Sequence, residues 1–362
     1  MIGVLNKIKS QLLCLEDLFN EIKFLSLSKD KIVISILKNR IFINSKILNT
    51  ATPENDFSIF WKEAKRQVEQ DIYNVVYFRY DISNQLYPFI DFIKSTENLN
   101  SKVLCEVPTY PFFKELKNRK KVNFEKYVVK QLSISCRIIF TPSSVKSILG
   151  RKVFQFENSY NISKLYKFSK RTENNKFRLL IIANASSWHG IERILHGAKK
   201  HKESNLEIDI FGNGNQTEQL RSLVVELNLG SVVKFHESEN LSFFETNKKN
   251  WNMGVSSLGL HRIKCRNAKP IKARDYAALG LPIVCTKEDE IMAKNNFNYV
   301  VSSDDSSVDI GSVKSHYYNL DEKQTQNEMF RFTKSYLNWN SFRDKIQEII
   351  SSSDKPLCTS ST

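Results

Sequence analysis

The sequence predicts an α/β protein built as two parallel-sheet domains facing each other across a cleft. Short apolar, β-branched runs alternate with amphipathic helical segments along most of the chain, the pattern of strands joined by helical crossovers. One polar stretch, "ENSYNISKLYKFSKRTENNK" (157–176), interrupts that alternation and reads as an interdomain linker. With 362 residues the chain is long enough for two domains, each with its own core.

In the first half, strands are expected at 22–27, 31–37, 40–45, 74–78, 102–107, 137–140 and 153–156, each rich in Ile, Val, Phe or Leu. Helices are expected at 4–19, 57–70, 85–95, 123–135 and 143–149. The runs at 31–37 and 40–45, separated by little more than Asn39, read as a hairpin inserted into the alternating pattern. In the second half, strands at 177–183, 206–211, 232–235, 252–257 and 281–285 alternate with helices from Gly190, near 216–228, near 240–248 and at 270–279. The expected organisation is a domain at 1–157, the linker at 158–176, a second domain at 177–337, a helix at 338–350 and a disordered tail at 351–362.

Composition removes several function classes. No apolar run approaches the ~18 residues of a membrane span. The opening "MIGVLNKIKSQLLCLEDLF" is an amphipathic helix with interspersed charges, unlike the uninterrupted apolar core of a signal peptide. Six scattered cysteines without a C-x-x-C pair predict neither a zinc site nor a disulfide framework, and point to a reducing cytoplasm. The formal net charge of +15 favours acidic partners such as phosphorylated small molecules, anionic lipid or nucleic acid. Lys114, Lys117, Arg119, Lys120 and Lys121, close behind "TYPFF", form a basic segment suited to an anionic membrane surface.

In open parallel sheets, ligands bind beyond the carboxyl ends of the strands, where helix N-termini offer free N–H groups. Three strand ends therefore carry the chemistry of the second half. "NASSWHG" (184–190) offers Asn184, His189 and Gly190; taken alone it reads rather as an ordinary helix cap with a surface histidine. "GNG" places Gly212 and Gly214 after the next strand but lacks a complete phosphate-loop motif. "LGLHRIKCRNAKPIKARDY" (258–276) concentrates Arg262, Lys264 and Arg266 before a helix that Pro270 opens and Gly280 ends. On that helix Lys272, Asp275 and Tyr276 fall at spacings of three and four. A carboxylate there can accept two hydrogen bonds from a vicinal diol, while the cations neutralise a diphosphate. The alternative for Asp275 is a surface pair with Arg274 or Lys272.

With these segments set in order, the chain resembles bacterial capsule and exopolysaccharide glycosyltransferases of the retaining GT-B type, family 4-like. The resemblance is carried by "YFRYD" (77–81), "CEVPTYPFFKEL" (105–116), "FTPSS" (140–144), "IANASSWHGIERILHG" (182–197), "DIFGNG" (209–214), "SLGLHRIK" (257–264) and "PIKARDYAALGLPIV" (270–284). It implies a nucleotide-sugar donor on the C-terminal domain and an acceptor, a lipid-linked saccharide, on the N-terminal one. His189 and Gly190 would contact the donor diphosphate with Arg262 and Lys264 as its cations; Asp275, at the second glutamate of an E-x7-E motif, would hold the ribose. Asn184, Lys272, Gly212 and Gly214 complete the donor set. Arg79, Glu106, Thr109 and Tyr110 would face the acceptor, Glu106 being a candidate catalytic carboxylate or, as easily, a residue that positions the acceptor loop. No metal or other cofactor is implied, because cations and helix N-termini stabilise the leaving diphosphate. Localisation is expected to be cytoplasmic and peripheral at the inner face of the plasma membrane.

Asn267 stands at the first glutamate of that motif, and the chain opens on the helix that follows the family's first strand. The N-terminal domain is thus expected to lack that strand, through a truncated frame or a misassigned start. Both departures favour a second reading, a non-catalytic GT-B partner or an inactive copy. A third, nucleic-acid binding, rests on charge alone and is not expected, since the aromatics lie at core spacing and no recognition motif is present.

Overall fold

The computed structural model describes residues 2–351 except 29–30, 50–55, 81–86, 98, 109–121, 125, 129, 132–137, 142–144, 149–150, 172–175 and 202–204. The chain forms two compact units. One comprises Ile8–Phe156 and resumes at Trp339; the other comprises Glu157–Asn338 with the first residues up to Lys7.

In the first unit the part of the helix Ile2–Leu15 from Ile8 onward precedes a three-stranded antiparallel sheet of β1 (Ile22–Ser28), β2 (Lys31–Lys38) and β3 (Ile41–Asn49). The expected hairpin is therefore two strands of a meander. Its turn is Asn39-Arg40, with φ of 53° and 62°. A two-residue turn with both centres left-handed matches the twist of the flanking strands, and asparagine tolerates that region. The parallel sheet has the order β4-β5-β6-β8-β7, with β4 at Val75–Arg79, β5 at Lys102–Glu106, β6 at Ile138–Thr141, β7 at Ser147–Ile148 and β8 at Arg151–Gln155. Of the helix expected at 143–149, the described residues 145–148 are not helical. Ser147–Ile148 pairs antiparallel with Arg151–Lys152 instead, and Ile148 is buried in the core. A seven-residue segment is too short to repay helix nucleation when a neighbouring strand offers its edge.

Aromatic packing holds this unit. Trp61, from the helix Asp56–Gln70, lies 4.6 Å from Phe89 and 5.0 Å from Phe92, both on the helix Tyr87–Ser95. The other side is closed by the C-terminal helix Asn340–Ser351, whose Phe342, Ile346 and Ile349 join Leu15, Leu104 and Phe156. Lys102 Nζ donates to the carbonyls of Ile349 (2.6 Å) and Ile350 (2.8 Å), satisfying acceptors the helix end leaves open.

The second unit is a six-stranded parallel sheet in the order β11-β10-β9-β12-β13-β14. Its strands are β9 (Phe177–Ile182), β10 (Leu206–Phe211), β11 (Val233–His236), β12 (Met253–Val255), β13 (Ile283–Thr286) and β14 (Tyr299–Val301). Every residue of β10 is buried, including Glu207 and Asp209, as befits an inner parallel strand covered on both faces. Helices Ile310–Asn319 and Glu322–Tyr336, not foreseen individually, follow β14.

The segment read as a linker is part of this unit up to Arg171. Ile162 and Phe168 sit in its core, Tyr166 N–H donates to Ala278 O (2.7 Å), and Arg171 N–H to the Tyr317 hydroxyl (2.8 Å). Its apolar residues show little sustained helix or strand periodicity. They anchor an extended chain instead, a pattern that periodicity does not detect.

Candidate functional site

In the second unit the carboxyl ends of β9, β10 and β12 are locked together through glycines. A Cβ on Gly190, whose φ is +62°, would lie 2.8 Å from Gly259 N. One on Gly214 would lie 2.3 Å from Ala185 N, and one on Gly212, at φ +112°, 2.5 Å from Ala183 O. No side chain fits at these points. The loops close further through Leu258 N–H to His189 O (2.9 Å) and Gly259 N–H to Trp188 O (3.1 Å). The result is a shelf of backbone at the sheet edge, with Asn184 exposed beside it.

His189 ends a short 3₁₀ turn and precedes the helix Ile191–Lys200. Its Nδ1 accepts the Ser186 N–H at 3.1 Å, so the neutral ring carries its proton on Nε2. Burial, with Lys272 nearby, lowers its pKa to about 2. The ring is therefore an uncharged N–H donor, and Nε2 has no partner among the described residues.

Lys272 lies in the first turn of the helix Ile271–Ala278. Its Nζ is shielded from solvent and unpartnered among the described residues, and burial lowers its pKa to about 7. An ammonium group in that state has given up hydration without gaining a counter-ion, at a cost an anionic ligand would offset.

The other residues foreseen for the donor sit differently. Arg262 is held by Glu192 and Asp305 and donates to Ser187 O at 2.6 Å, so its charge is already matched. Its place is to tie the β12 loop to the β9 loop. Lys264 is exposed, in a left-handed conformation with φ 50°. Tyr276 is fully buried; its hydroxyl accepts Ile182 N–H at 2.7 Å and its ring fills the space above Gly254. It seats the helix on the sheet and does not share a ligand-facing surface with Lys272.

Asp275 is 8% exposed, and its Oδ1 accepts the Asn161 N–H at 2.8 Å. It pairs with neither Arg274 nor Lys272. Arg274 instead reaches Glu157 at 2.7 Å and Asp289. The ribose role expected of Asp275 thus meets a carboxylate facing the segment at 157–161, an element that spacing on the helix could not reveal. Burial raises its pKa to about 7, against an ordinary 3.8. Because the folded value is the higher one, its contribution to stability is complete below pH ~4 and is lost as pH rises to about 7. The difference sets a ceiling of about 4 kcal/mol on that loss. Asp275→Asn should remove it, so the variant should melt higher than the parent at pH 7–8 and its pH profile should be flatter between 4 and 7. Parallel melting curves over that range would show that the carboxyl titrates normally. Above pH 7 Lys272, lowered from 10.5, acts in the opposite sense, stability rising as its penalty is relieved.

In the first unit Arg79 and Glu106 end adjacent strands and face each other in register. Glu106 is fully buried; one oxygen takes Arg79 and the other takes the Tyr77 hydroxyl and Gln11 Nε2 (3.2 Å). A carboxylate so paired holds Arg79 in place. Its strand-end position was legible in the sequence; the three donors converging on it were not. Thr109, Tyr110 and the basic segment at 114–121 lie outside the described residues.

The sequence matches no protein-family profile and no curated protein. Solved structures are similar in fold. A sucrose-phosphate synthase from Thermosynechococcus elongatus is 13% identical, covering 83% of this chain and 80% of that one, with a TM-score of 0.61. Anabaena HepE, solved in complex with UDP-glucose, is 11% identical over 83% of this chain and 84% of that one, at 0.58. TarM is 12% identical over 91% and 75%, at 0.55. Two parallel-sheet α/β units in this order, matched along most of the chain by these structures, are the GT-B fold.

Proposed function

We propose that this protein is a glycosyltransferase that moves a sugar from a nucleotide-sugar donor to a lipid-linked glycan acceptor in surface polysaccharide synthesis. The observation that carries the proposal is the pair of donors without a partner among the described residues, His189 Nε2–H and Lys272 Nζ, beside helix N-termini at the end of a parallel sheet. A diphosphate placed there gains a cation, a neutral N–H and free backbone amides together. The fold supports the same reading, since HepE carries UDP-glucose.

The bond to break joins the sugar's anomeric carbon to the diphosphate oxygen. Negative charge grows on that oxygen as the bond lengthens. Lys272 and the helix N-termini meet it, and because they are fixed in advance they need no reorganisation in the transition state. This role requires no metal. Asn184 and the Gly212–Gly214 loop would border the nucleotide, and Arg79, steadied by Glu106, would meet the acceptor's diphosphate. The basic composition suits an acceptor displayed at an anionic cytoplasmic membrane face; no helix among the described residues is long and apolar enough to cross the membrane.

A thermal-shift screen against UDP, GDP, CMP and their sugar conjugates tests the proposal. A ligand at 100 times its dissociation constant stabilises the native state by about 2.7 kcal/mol, a clear rise in midpoint. Nucleotide release from the effective sugar conjugate, dependent on added lipid-linked acceptor, is the expected second result. Binding without turnover would favour the non-catalytic reading, which Asn267 at the family's first glutamate and the paired Glu106 support.

A further inference from the structure

Beyond the diphosphate shelf, the second unit carries a built cluster that no step above uses. His236 is the last residue of β11 and stands opposite Phe211 in the sheet register. Its ring stacks on Phe211 with centroids 4.3 Å apart and planes 13° from parallel. Its Nε2 lies 2.7 Å from Asp209 Oδ1, and the other Asp209 oxygen accepts the Trp251 indole N–H at 2.9 Å. Asp209 is 7% exposed, so this geometry is fixed from within.

An ionised carboxylate can only accept hydrogen bonds. Nε2 of the neutral ring must then carry the proton, which makes Nδ1 an acceptor. Nδ1 has no partner among the described residues, and the His236 side chain is 36% exposed. The imidazole is thus an oriented acceptor on the surface, with its tautomer chosen by a buried acid.

Its position matters as much as its chemistry. Gly212 N–H donates to His236 O at 3.3 Å, and Gly212 and Gly214 abut the β9 loop at Ala183 and Ala185. The end of β11 is therefore continuous with the shelf, two strand spacings or ~10 Å from β9. A nucleoside diphosphate anchored by its phosphates at His189 can reach that far through its ribose.

We infer that His236 reads the donor's nucleobase and selects one that presents a ring N–H beside a carbonyl, the edge shared by uracil and guanine. Cytosine places an acceptor nitrogen at the equivalent point and would meet Nδ1 lone pair to lone pair. The inference rests on the nucleotide-sugar reading and adds to it the class of base.

The test measures dissociation constants of UDP, GDP and CDP for the full chain and two variants, by calorimetry at one fixed pH of ~8, on the basic side of the usual histidine range. The parent should bind UDP or GDP about tenfold tighter than CDP, the worth of one neutral hydrogen bond. The stronger of those two tells uracil from guanine. His236→Phe keeps the stack on Phe211 and loses the acceptor, so its preference over CDP should fall to about threefold or less. Asp209→Asn keeps an acceptor for Trp251 but no longer compels a proton on Nε2, and the preference should fall likewise. A folded His236→Phe with the parent's ratios overturns the inference, as does a parent that favours CDP; both leave the nucleotide-sugar reading standing. A folded parent that binds none of the three nucleotides overturns that reading and this inference together.

Discussion

Arg274→Met should lower the stability of the second unit by about 3–5 kcal/mol. Arg274 is fully buried and joins Glu157 (2.7 Å) to Asp289, itself 1% exposed. Methionine fills similar volume, so little cavity forms. The cost is electrostatic: among the described residues the buried Asp289 carboxylate is left without a counter-ion, and Glu157 keeps only Lys269, at 2.9 Å. Burial already raises the Asp289 pKa even with the arginine present, which shows how strongly the site opposes charge. Urea denaturation should show a lower midpoint with an unchanged slope. Adding Asp289→Asn should recover part of the loss, because the neutral amide needs no counter-ion. Equal stability of Arg274→Met and the parent would mean that the arginine is solvated in solution.

Lys272→Met should weaken nucleotide diphosphate binding by about 2–3 kcal/mol, roughly 30- to 150-fold, with the fold retained. The same group predicts the pH dependence of binding in the parent. Its pKa of about 7 means that it is charged below pH 7 and neutral above. A bound dianion favours the charged form, so binding takes up a proton and affinity falls as pH rises from ~6 to ~8. Asp275, also near 7, gains negative charge over the same window and works in the same direction. Lys272→Met should therefore flatten the profile and leave a smaller slope of the same sign. An affinity that rises with pH in the parent would exclude Lys272 as the cation at the diphosphate.

The alternation of strands and helices was written in the sequence because burial on a sheet or helix face imposes a period that survives without tertiary information. So were the glycines at 190, 212 and 214, each where backbone meets backbone. What the period could not carry was partnership. The segment "ENSYNISKLYKFSK" shows no regular spacing, yet Asn161 supplies Asp275's hydrogen bond and Phe168 enters the core. Lys272, Arg274 and Asp275 are neighbours on one short helix with near-identical local signals. The fold leaves the first unpaired among the described residues, encloses the second between two acids, and turns the third toward residues more than a hundred positions away. Glu106 and Arg262 stood out as reactive charges and proved to be neutralised by residues from other elements. His236 carried no signal at all, because its acid lies 27 residues earlier on a neighbouring strand. Sequence alone determined the layers and which strand ends carry the candidate residues, since both follow from local hydrophobicity and chain topology. Tertiary structure alone decided which charges on that edge remain open to a ligand, since desolvation and pairing depend on atoms brought together from distant parts of the chain.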